Sequence, residues 1–354
     1  MNPSDNDTTM LNEILNQPNA WAATIALLEE KSERLVRLVE GVDEVVFTGC
    51  GSGLNVAMTL APTFQQATGV RARAVPAAEM VFFPETVFVS GSRDLVVPIS
   101  RSGSTTETVL ARDAATGRSM PTLGITCYPD SSLAQQSSEA LVLEAANEAS
   151  VTTTQSLTGM VLCGQMLSGI IAGDAAYLKH LKRLPELGRR VIEKSHDLGR
   201  RIAEDSAITK FAFVGSAAGI GLAREGQLKI KEMTLLPSDS YPILDYRHGP
   251  KSNVDEHMLI TVLATDRTRR IEREFLAEMK GLKGKLLVLC DRADADVRAL
   301  ADYVVEVESG LPDFARDILY MPPIHFLAYY KSLAVGLSPS TPVNLSYWVE
   351  TKSL

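Results

Sequence analysis

Residues 45–53 read VVFTGCGSG and residues 210–219 read KFAFVGSAAG, and this shared pattern decides the fold. Each stretch is a short apolar run that ends in a turn of small residues, which is typical of a buried strand leading into a helix. Gly49 and Gly215, at the ends of the two runs, lie 166 positions apart. The pattern therefore predicts an internal repeat.

The segments around these stretches keep the same order in both halves of the chain. Short apolar runs alternate with helix-length segments, and the matching runs that end in Cys127 and Cys290 lie 163 positions apart. Such alternation favours a mostly parallel sheet covered by helices on both faces. We predict an α/β fold of two three-layer units related by the repeat.

Helices are expected outside and between these runs. Residues 8–40 predict two helices broken near Asn16-Gln17-Pro18, and residues 151–206 are predominantly helical in pattern. Residues 317–340 predict an apolar helix that ends at Gly336 and packs between the units or against a partner.

Composition narrows the class of protein. The 354 residues are 45% hydrophobic and 22% charged, which is typical of a globular chain with room for two domains. The first residues lack the pattern of a signal peptide, and we find no run of about 18 uncharged apolar residues. We expect a cytoplasmic protein with no membrane partner.

Charge and cysteine content exclude further classes. The formal net charge is -8 without a dense Lys/Arg tract, which argues against a nucleic-acid partner but not against a small anion at a helix N-terminus. The cysteines are far apart and show no CxxC spacing, so we expect buried free thiols rather than disulfides or metal ligands. These cysteines are Cys50, Cys127, Cys163 and Cys290.

The most informative loop follows the apolar run at residues 94–99. Residues 100–108 read SRSGSTTET, with six hydroxyl side chains and one glycine before a predicted helix. Free backbone N–H groups and short hydroxyls at a helix N-terminus suit a phosphate. The alternative is simple helix capping, but a cap needs one hydroxyl.

Two further loops bear on this prediction. The turn GCGSG at residues 49–53 adds small residues at a neighbouring strand end, but it lacks the third glycine of a dinucleotide fingerprint, and Glu79 comes too late for its acid. In the second half, the matching loop ATDRTRR at residues 264–270 has no glycine and carries an acid. We expect one phosphate site per chain and no nicotinamide cofactor.

A helix predicted over residues 219–235 carries ionisable groups on one face. Glu225, Lys229 and Glu232 stand at i, i+4 and i+7. They are either a solvated ion-pairing face or a base, a cation and a second acid of one site. The turn YRHGPKS at residues 246–252 adds His248, one of five histidines, with its backbone restrained by Gly-Pro.

These motifs, in this order, resemble the double sugar isomerase (SIS) proteins, specifically the isomerase half of glucosamine-6-phosphate synthase and its stand-alone relatives. The resemblance covers almost the whole chain, including the segment EASVTTT at residues 148–154. It implies N-terminal helices at 1–40, a first SIS domain with the phosphate loop at 41–180, a second with the catalytic helix at 181–335, and a tail at 336–354 closing the site.

The resemblance also implies residue roles. Glu232 would move a proton between C1 and C2, while Glu225 and Lys229 position the sugar and the base. His248 would assist ring opening, reaching the site of a neighbouring subunit in a homodimer. The phosphate would be held by Ser52, Ser100, Arg101, Ser102 and Thr105, and the sugar pocket would be lined by Val151 and Thr153.

Two departures limit this inference. The sequence begins Met-Asn-Pro, without a glutaminase domain or an N-terminal cysteine nucleophile, so glutamine-dependent amino transfer is not expected. In the tail, Tyr347 stands where the synthase pattern has a lysine. A tyrosine can donate a hydrogen bond to the substrate, but it is a poor base at neutral pH.

The leading hypothesis is an enzyme without metal or redox cofactor that acts on a sugar 6-phosphate. It would be a deaminase, a ketose-aldose isomerase or a deglycase, with an amino or N-substituted sugar as substrate. The competing hypothesis is a sugar-phosphate-binding regulator without turnover. A third is a subunit whose partner supplies ammonia or amine.

Overall fold

The computed structural model describes residues 8–349 and Thr351. The segment Met1–Asp7, which carries the Met-Asn-Pro start, lies outside the described residues, as do Glu350 and residues 352–354. The chain divides into two compact units that are each discontinuous in sequence. Among the described residues, the first unit comprises residues 16–148, 153–185, 346–349 and 351, and the second comprises residues 8–15, 149–152 and 186–345.

The elements of the first unit alternate as the apolar runs predict. Its strands are β1 (Glu44–Gly49), β2 (Arg71–Pro76), β3 (Asp94–Ile99), β4 (Leu123–Thr126) and β5 (Glu139–Val142). Its helices are α1 (Thr8–Glu30, shared with the second unit), α2 (Ser32–Val39), α3 (Ser52–Thr68), α4 (Ala77–Phe82), α5 (Pro84–Val87), α6 (Thr106–Thr116), α7 (Ser132–Gln136), α8 (Gln155–Ala172) and α9 (Ala175–Leu181).

The second unit repeats this order after one long helix. Its strands are β6 (Lys210–Gly215), β7 (Ser238–Pro242), β8 (Met258–Leu263), β9 (Lys285–Cys290) and β10 (Tyr303–Glu306). Its helices are α10 (Leu184–Glu204), α11 (Gly219–Thr234), α12 (Arg269–Gly281), α13 (Ala295–Leu300), α14 (Asp313–Arg316) and α15 (Met321–Ala334).

The two sheets have identical topology. The strand order is β2-β1-β3-β4-β5 in the first unit and β7-β6-β8-β9-β10 in the second. Strand pairs in both sheets are parallel. The predicted α/β class and the predicted repeat are confirmed. In each sheet the second strand lies on one side of the first strand and the later strands lie on the other side. The first and third strands of each unit are therefore neighbours at a topological switch point, which is where doubly wound folds bind ligands.

The core of each unit lies on its sheet. Val46 and Val96 on neighbouring strands of the first sheet are fully buried and pack with Ala111 from α6. In the second unit, Ile260 and Val288 pack with Phe275 from α12. Parallel strands covered on both faces need such continuous apolar runs, which is why the strands were visible in the sequence.

Two helix boundaries differ from the prediction. The helix α1 continues through Pro18 and ends at Glu30, so the expected break near Asn16-Gln17-Pro18 is wrong. Proline removes one backbone hydrogen bond, and the burial of Ile14 and Trp21 on either side offsets that loss. The predicted helix at 317–340 is shorter, because residues 317–320 form a 3₁₀ turn before α15.

The structure also bears on the predictions about the cysteines and about membrane spans. The four cysteines are free thiols, as predicted, although Cys50 is only partly buried. The helix α8 is long and apolar enough to span a membrane by length and composition, with a mean hydropathy of 1.2. Because 83% of it is buried inside the protein, it has the character of a core helix.

Candidate functional site

The predicted phosphate loop lies at the carboxyl edge of the first sheet. The strand β3 ends at Ile99, the loop occupies residues 100–105, and α6 begins at Thr106. The adjacent strand β1 ends at Gly49, from which the chain turns into α3. The loop and this turn therefore meet at the switch point of the sheet.

The close approach of these segments requires glycine at two positions. A Cβ atom at Gly53 would lie 2.5 Å from the carbonyl oxygen of Ile99. Gly103 has a φ of +62°, and a Cβ atom there would lie 2.1 Å from Oγ of Ser131. A larger residue at Gly53 would push the turn away from the end of β3, and one at Gly103 would push the loop away from Ser131, so both positions require glycine.

The loop hydroxyls bond to one another. Oγ of Ser100 lies 3.1 Å from Oγ1 of Thr105 and 3.4 Å from Oγ of Ser102. The N-cap residue of α6 is Thr105, and its side chain makes no capping hydrogen bond to the helix. The simple capping interpretation therefore does not explain this threonine, and the hydroxyls stay grouped in front of the N-terminus of α6.

A second hydroxyl pair lies at the end of β1. Oγ1 of Thr153 donates to Oγ of Ser52 at 3.0 Å, so the structure brings together two predicted ligand residues that are far apart in sequence. Val151, predicted to line the same pocket, belongs to the second unit, where its backbone N–H donates to the carbonyl of Ser340 at 2.9 Å.

Arg101 is bound to two other segments of the first unit. Its Nη1 lies 3.5 Å from Oε1 of Glu148, and its Nη2 donates to the carbonyl of Tyr347 at 3.0 Å. The Tyr347 ring lies 3.7 Å from the guanidinium carbon, close enough for a cation–π contact. Arg101 therefore joins the predicted phosphate loop to the C-terminal tail.

Sequence reasoning did not single out Glu148, although it holds this arrangement together. One carboxylate oxygen accepts hydrogen bonds from the backbone N–H groups of Thr154 and Gln155, at 2.9 and 3.0 Å, at the start of α8. The other faces Arg101. A buried acid between a helix N-terminus and an arginine is electrostatically favourable, but only the folded chain reveals both partners.

Tyr347, in the place of the expected lysine, is fully engaged within the first unit. Its hydroxyl donates to the carbonyl of Glu148 and accepts from the hydroxyl of Tyr128 at 3.0 Å. Burial raises the pKa of the Tyr347 phenol, despite the opposing charge of Arg101. This side chain is suited to holding the tail and unsuited to acting as a base at neutral pH.

The predicted carboxylate stripe is a buried ion triad on α11. Nζ of Lys229 lies 3.1 Å from Oε1 of Glu225 and 2.7 Å from Oε2 of Glu232. The exposed fractions of the side chains are 1% for Lys229, 0% for Glu225 and 20% for Glu232. The alternative of a solvated face does not fit, and Glu232 is the member that remains accessible.

The two carboxylates keep the buried lysine charged. Burial alone would lower the pKa of Lys229, but Glu225 and Glu232 outweigh it and raise the pKa above its usual value. Two acids around one base leave the triad with a net negative charge. An arrangement of this kind can present an ionised carboxylate to a substrate while its neighbours stay fixed.

His248 lies on an exposed turn of the second unit, apart from the triad in sequence. The turn is anchored by Arg247 and Lys251, which both pair with Glu278 at 2.6 Å. Gly249 has a φ of +131°, which favours glycine there. The turn is therefore well held, and His248 on it is exposed.

The loop matching the phosphate loop in the second unit holds an internal carboxylate. Oε1 of Glu272 accepts from the backbone N–H of Thr265 at 3.0 Å and from the hydroxyl of Thr268 at 2.6 Å. Glu272 is only 4% exposed. Sequence reasoning noted the acid Asp266 in this loop but missed Glu272, which lies within α12.

Fold and loops together define the class: a duplicated doubly wound α/β protein with a hydroxyl-rich loop at one of its two switch points. A model of the SIS domain matches residues 40–167 and 210–315, which cover both sheets. The chain belongs to the SIS domain family.

The curated relatives of this chain include longer enzymes. It is 29% identical over 347 residues to a glutamine–fructose-6-phosphate aminotransferase (isomerizing) of Pyrobaculum aerophilum, covering 95% of this chain and 56% of the relative. An aminotransferase of the same name from Methanothermobacter thermautotrophicus is 25% identical, with 96% and 57% coverage. The chain thus spans little more than half the length of these relatives.

Some solved structures are similar to nearly the whole of this chain. The tagatose-6-phosphate ketose/aldose isomerase of Escherichia coli has a TM-score of 0.87 at 22% identity and 95% coverage of both chains, which shows a shared fold. The glucosamine-6-phosphate deaminase of Thermotoga maritima has a TM-score of 0.71 at 28% identity, covering 92% of this chain and 99% of that one.

Proposed function

We propose that this protein binds a sugar 6-phosphate and catalyses aldose–ketose isomerisation coupled to deamination or amine removal. The observation that carries the proposal is the buried triad on α11, in which only Glu232 is accessible. A carbonyl shift between C1 and C2 needs a base that takes a proton from one carbon and returns it to the other.

The chemistry can be written for glucosamine 6-phosphate in its open form. Glu232 takes the proton from C2, the C–H electron pair becomes the C1–C2 double bond, and the C1 carbonyl oxygen takes a proton from solvent to complete the enolamine. Return of the Glu232 proton to C1 and loss of one N–H proton to solvent leave a C2 imine, which adds water and releases ammonia to give a ketose 6-phosphate. Lys229 pairs with Glu232 at 2.7 Å and would hold the carboxylate in place through both transfers.

The phosphate would be bound by the loop at residues 100–105. Ser100, Ser102 and Thr105 place their hydroxyls together before the N-terminus of α6, where backbone N–H groups and the helix dipole favour an anion. Arg101 would contribute positive charge while holding the tail. The similar proteins are named for sugar 6-phosphates, namely fructose 6-phosphate and glucosamine 6-phosphate, and this supports the choice of ligand.

Several finer points belong to the proposal. A homodimer in which His248 reaches the neighbouring subunit would give this exposed histidine a role in ring opening. Amine removal is preferred over simple isomerisation because of the similarity to the Thermotoga maritima deaminase. The cytoplasmic location, the domain boundaries and the absence of cofactors stay predictions.

The test uses purified protein with glucosamine 6-phosphate and a panel of ketose and N-substituted sugar 6-phosphates. Ammonia or amine release and exchange of the C2 proton with solvent are followed. We expect Glu232→Gln to lower kcat by at least about a thousandfold, since the amide cannot accept the proton. Glu274→Gln, a matched change at an exposed residue of α12, should leave kcat unchanged.

The outcomes separate the enzyme from the second candidate, a regulator without turnover. The engagement of Tyr347 with Glu148 and Tyr128 favours that candidate, because this phenol is then held in place and is not available as a base. Sugar-phosphate binding by calorimetry without exchange on any panel member would support the regulator. Full activity of Glu232→Gln would contradict the proposed mechanism.

A further inference from the structure

His325 is a buried ionisable residue that the proposed mechanism leaves without a role. It lies on α15 and is 1% exposed. Neither of its ring nitrogens has a hydrogen-bond partner among the described residues. Leaving a buried polar group unsatisfied destabilises the folded state, and a leucine or phenylalanine at this position would avoid that cost.

The surroundings of His325 point to the ion triad. The helix α15 packs against α11, which carries Glu225, Lys229 and Glu232. Burial, and then the charge of Lys229, lowers the pKa of His325 to about 3. His325 is therefore neutral at pH 7, with one nitrogen that donates a proton and one that accepts.

Two charged groups near His325 in sequence are neutral or engaged elsewhere. In the 3₁₀ turn that packs on α15, burial raises the pKa of Asp317 to about 8, so this acid is protonated at neutral pH. Lys331, on α15 itself, donates to the backbone carbonyls of Ala203 and Asp205. Lys229, on the helix packed against α15, is the charge that lowers the pKa of His325.

We propose that His325 is a positioning residue that accepts a hydrogen bond from the Lys229 ammonium when Glu232 becomes protonated. The inference rests on the proposed function. When Glu232 takes the C2 proton it loses its charge, and its attraction for Lys229 weakens. The lone pair of His325 then holds the ammonium until the proton returns to C1, while His325 gains no proton itself.

The test compares His325→Leu with His325→Gln. Leucine removes the acceptor and the orphaned N–H together, whereas glutamine keeps an acceptor oxygen on a chain of similar reach. We expect kcat on glucosamine 6-phosphate to fall about tenfold in His325→Leu with KM unchanged, the size expected for one hydrogen bond to a charged group. His325→Gln should restore most of kcat.

The melting temperature gives a readout that does not depend on activity. Because leucine removes unsatisfied polar atoms, His325→Leu should melt no lower than the unmodified protein. A lower melting temperature would show that the imidazole is satisfied in solution and would overturn the proposal. So would unchanged kcat in His325→Leu, or equal loss in both variants.

The two proposals fail in different ways. Activity retained in Glu232→Gln, or no turnover of any panel sugar, removes the proposed function. In that case the melting comparison still decides whether His325 is kept at a cost in stability. If Glu232→Gln is inactive and His325→Leu is fully active, the result contradicts only the proposed role of His325.

Discussion

The loops that follow β3 and β8 hold the same place in two sheets of identical strand order, but they treat negative charge differently. In the first unit the hydroxyls of Ser100, Ser102 and Thr105 bond to one another. In the second, Thr265 and Thr268 donate to the protein's own carboxylate, Glu272. The two units therefore have similar scaffolds, but in the second unit the hydrogen-bond donors of the loop are already bound by a carboxylate of the same chain.

The difference explains why the repeat predicts one ligand loop per chain. A loop of small hydroxyl residues and a glycine can accept an external anion, whereas a loop whose donors are bound by an acid from the next helix cannot without displacing that acid. Three arginines line the cavity beside Glu272: Arg269, Arg292 and Arg316. Positive charge alone is thus not what distinguishes the two loops.

The largest effect is expected when the hydroxyls of the first loop are removed. In a Ser100→Ala, Ser102→Ala double variant, the Kd for glucosamine 6-phosphate should rise about a hundredfold, because two donors to a charged phosphate are lost. Isothermal calorimetry measures it. The matched Thr265→Ala, Thr268→Ala variant should bind within about twofold of the unmodified protein. Equal losses in both pairs would mean that both loops bind the ligand.

A smaller effect is expected when the second loop loses its internal carboxylate. Glu272→Ala leaves the partly buried N–H of Thr265 and the hydroxyl of Thr268 without their acceptor, so the free energy of unfolding should fall by about 2 kcal/mol. Inorganic phosphate should then raise the melting temperature of this variant more than that of the unmodified protein, since an anion can take the freed donors. Identical phosphate responses would show that the second loop has no latent anion site.

The smallest expected effect is a change in how the stability of the folded protein depends on pH. Burial raises the pKa of Glu272 above its usual 4.5, although Thr268 and Thr265 oppose the shift. The unfolded chain then loses this proton at lower pH than the folded protein, so stability declines as pH rises from 4.5 through the folded pKa. Glu272→Gln removes this decline.

The measurement is the difference in melting temperature between Glu272→Gln and the unmodified protein at several pH values. We expect the difference to shift in favour of the glutamine variant as pH rises from 4.5 to 8. A constant difference would show that Glu272 has the same pKa in both states. A shift in favour of the unmodified protein would mean that the loop stabilises the charged carboxylate.

Much of the fold was predictable because its signals are local. Apolar runs such as the one ending at Cys290 identify parallel strands, and the turns after Gly49 and Gly215 identify the start of α3 and α11. The short strand β7, with sequence SDSYP, was missed because it has no apolar run. The break near Pro18 was predicted wrongly because burial on both sides of the proline outweighed its local effect.

The candidate site was predictable only where its residues share one element. Glu225, Lys229 and Glu232 were expected on one face because helical spacing places them there. That this face is buried, and that α15 with His325 packs on the same helix, depended on the tertiary arrangement of α11 and α15. No spacing rule connects residues a hundred positions apart.

The sequence by itself determined the duplicated parallel fold, the hydroxyl-rich loop and the charged stripe, because period, turn chemistry and helical spacing are properties of neighbouring residues. Tertiary structure alone decided that Arg101 is held by Glu148 and Tyr347, and that Glu272 fills the second loop. These partners come from distant parts of the chain, and burial, rather than sequence proximity, sets the strength of their interactions.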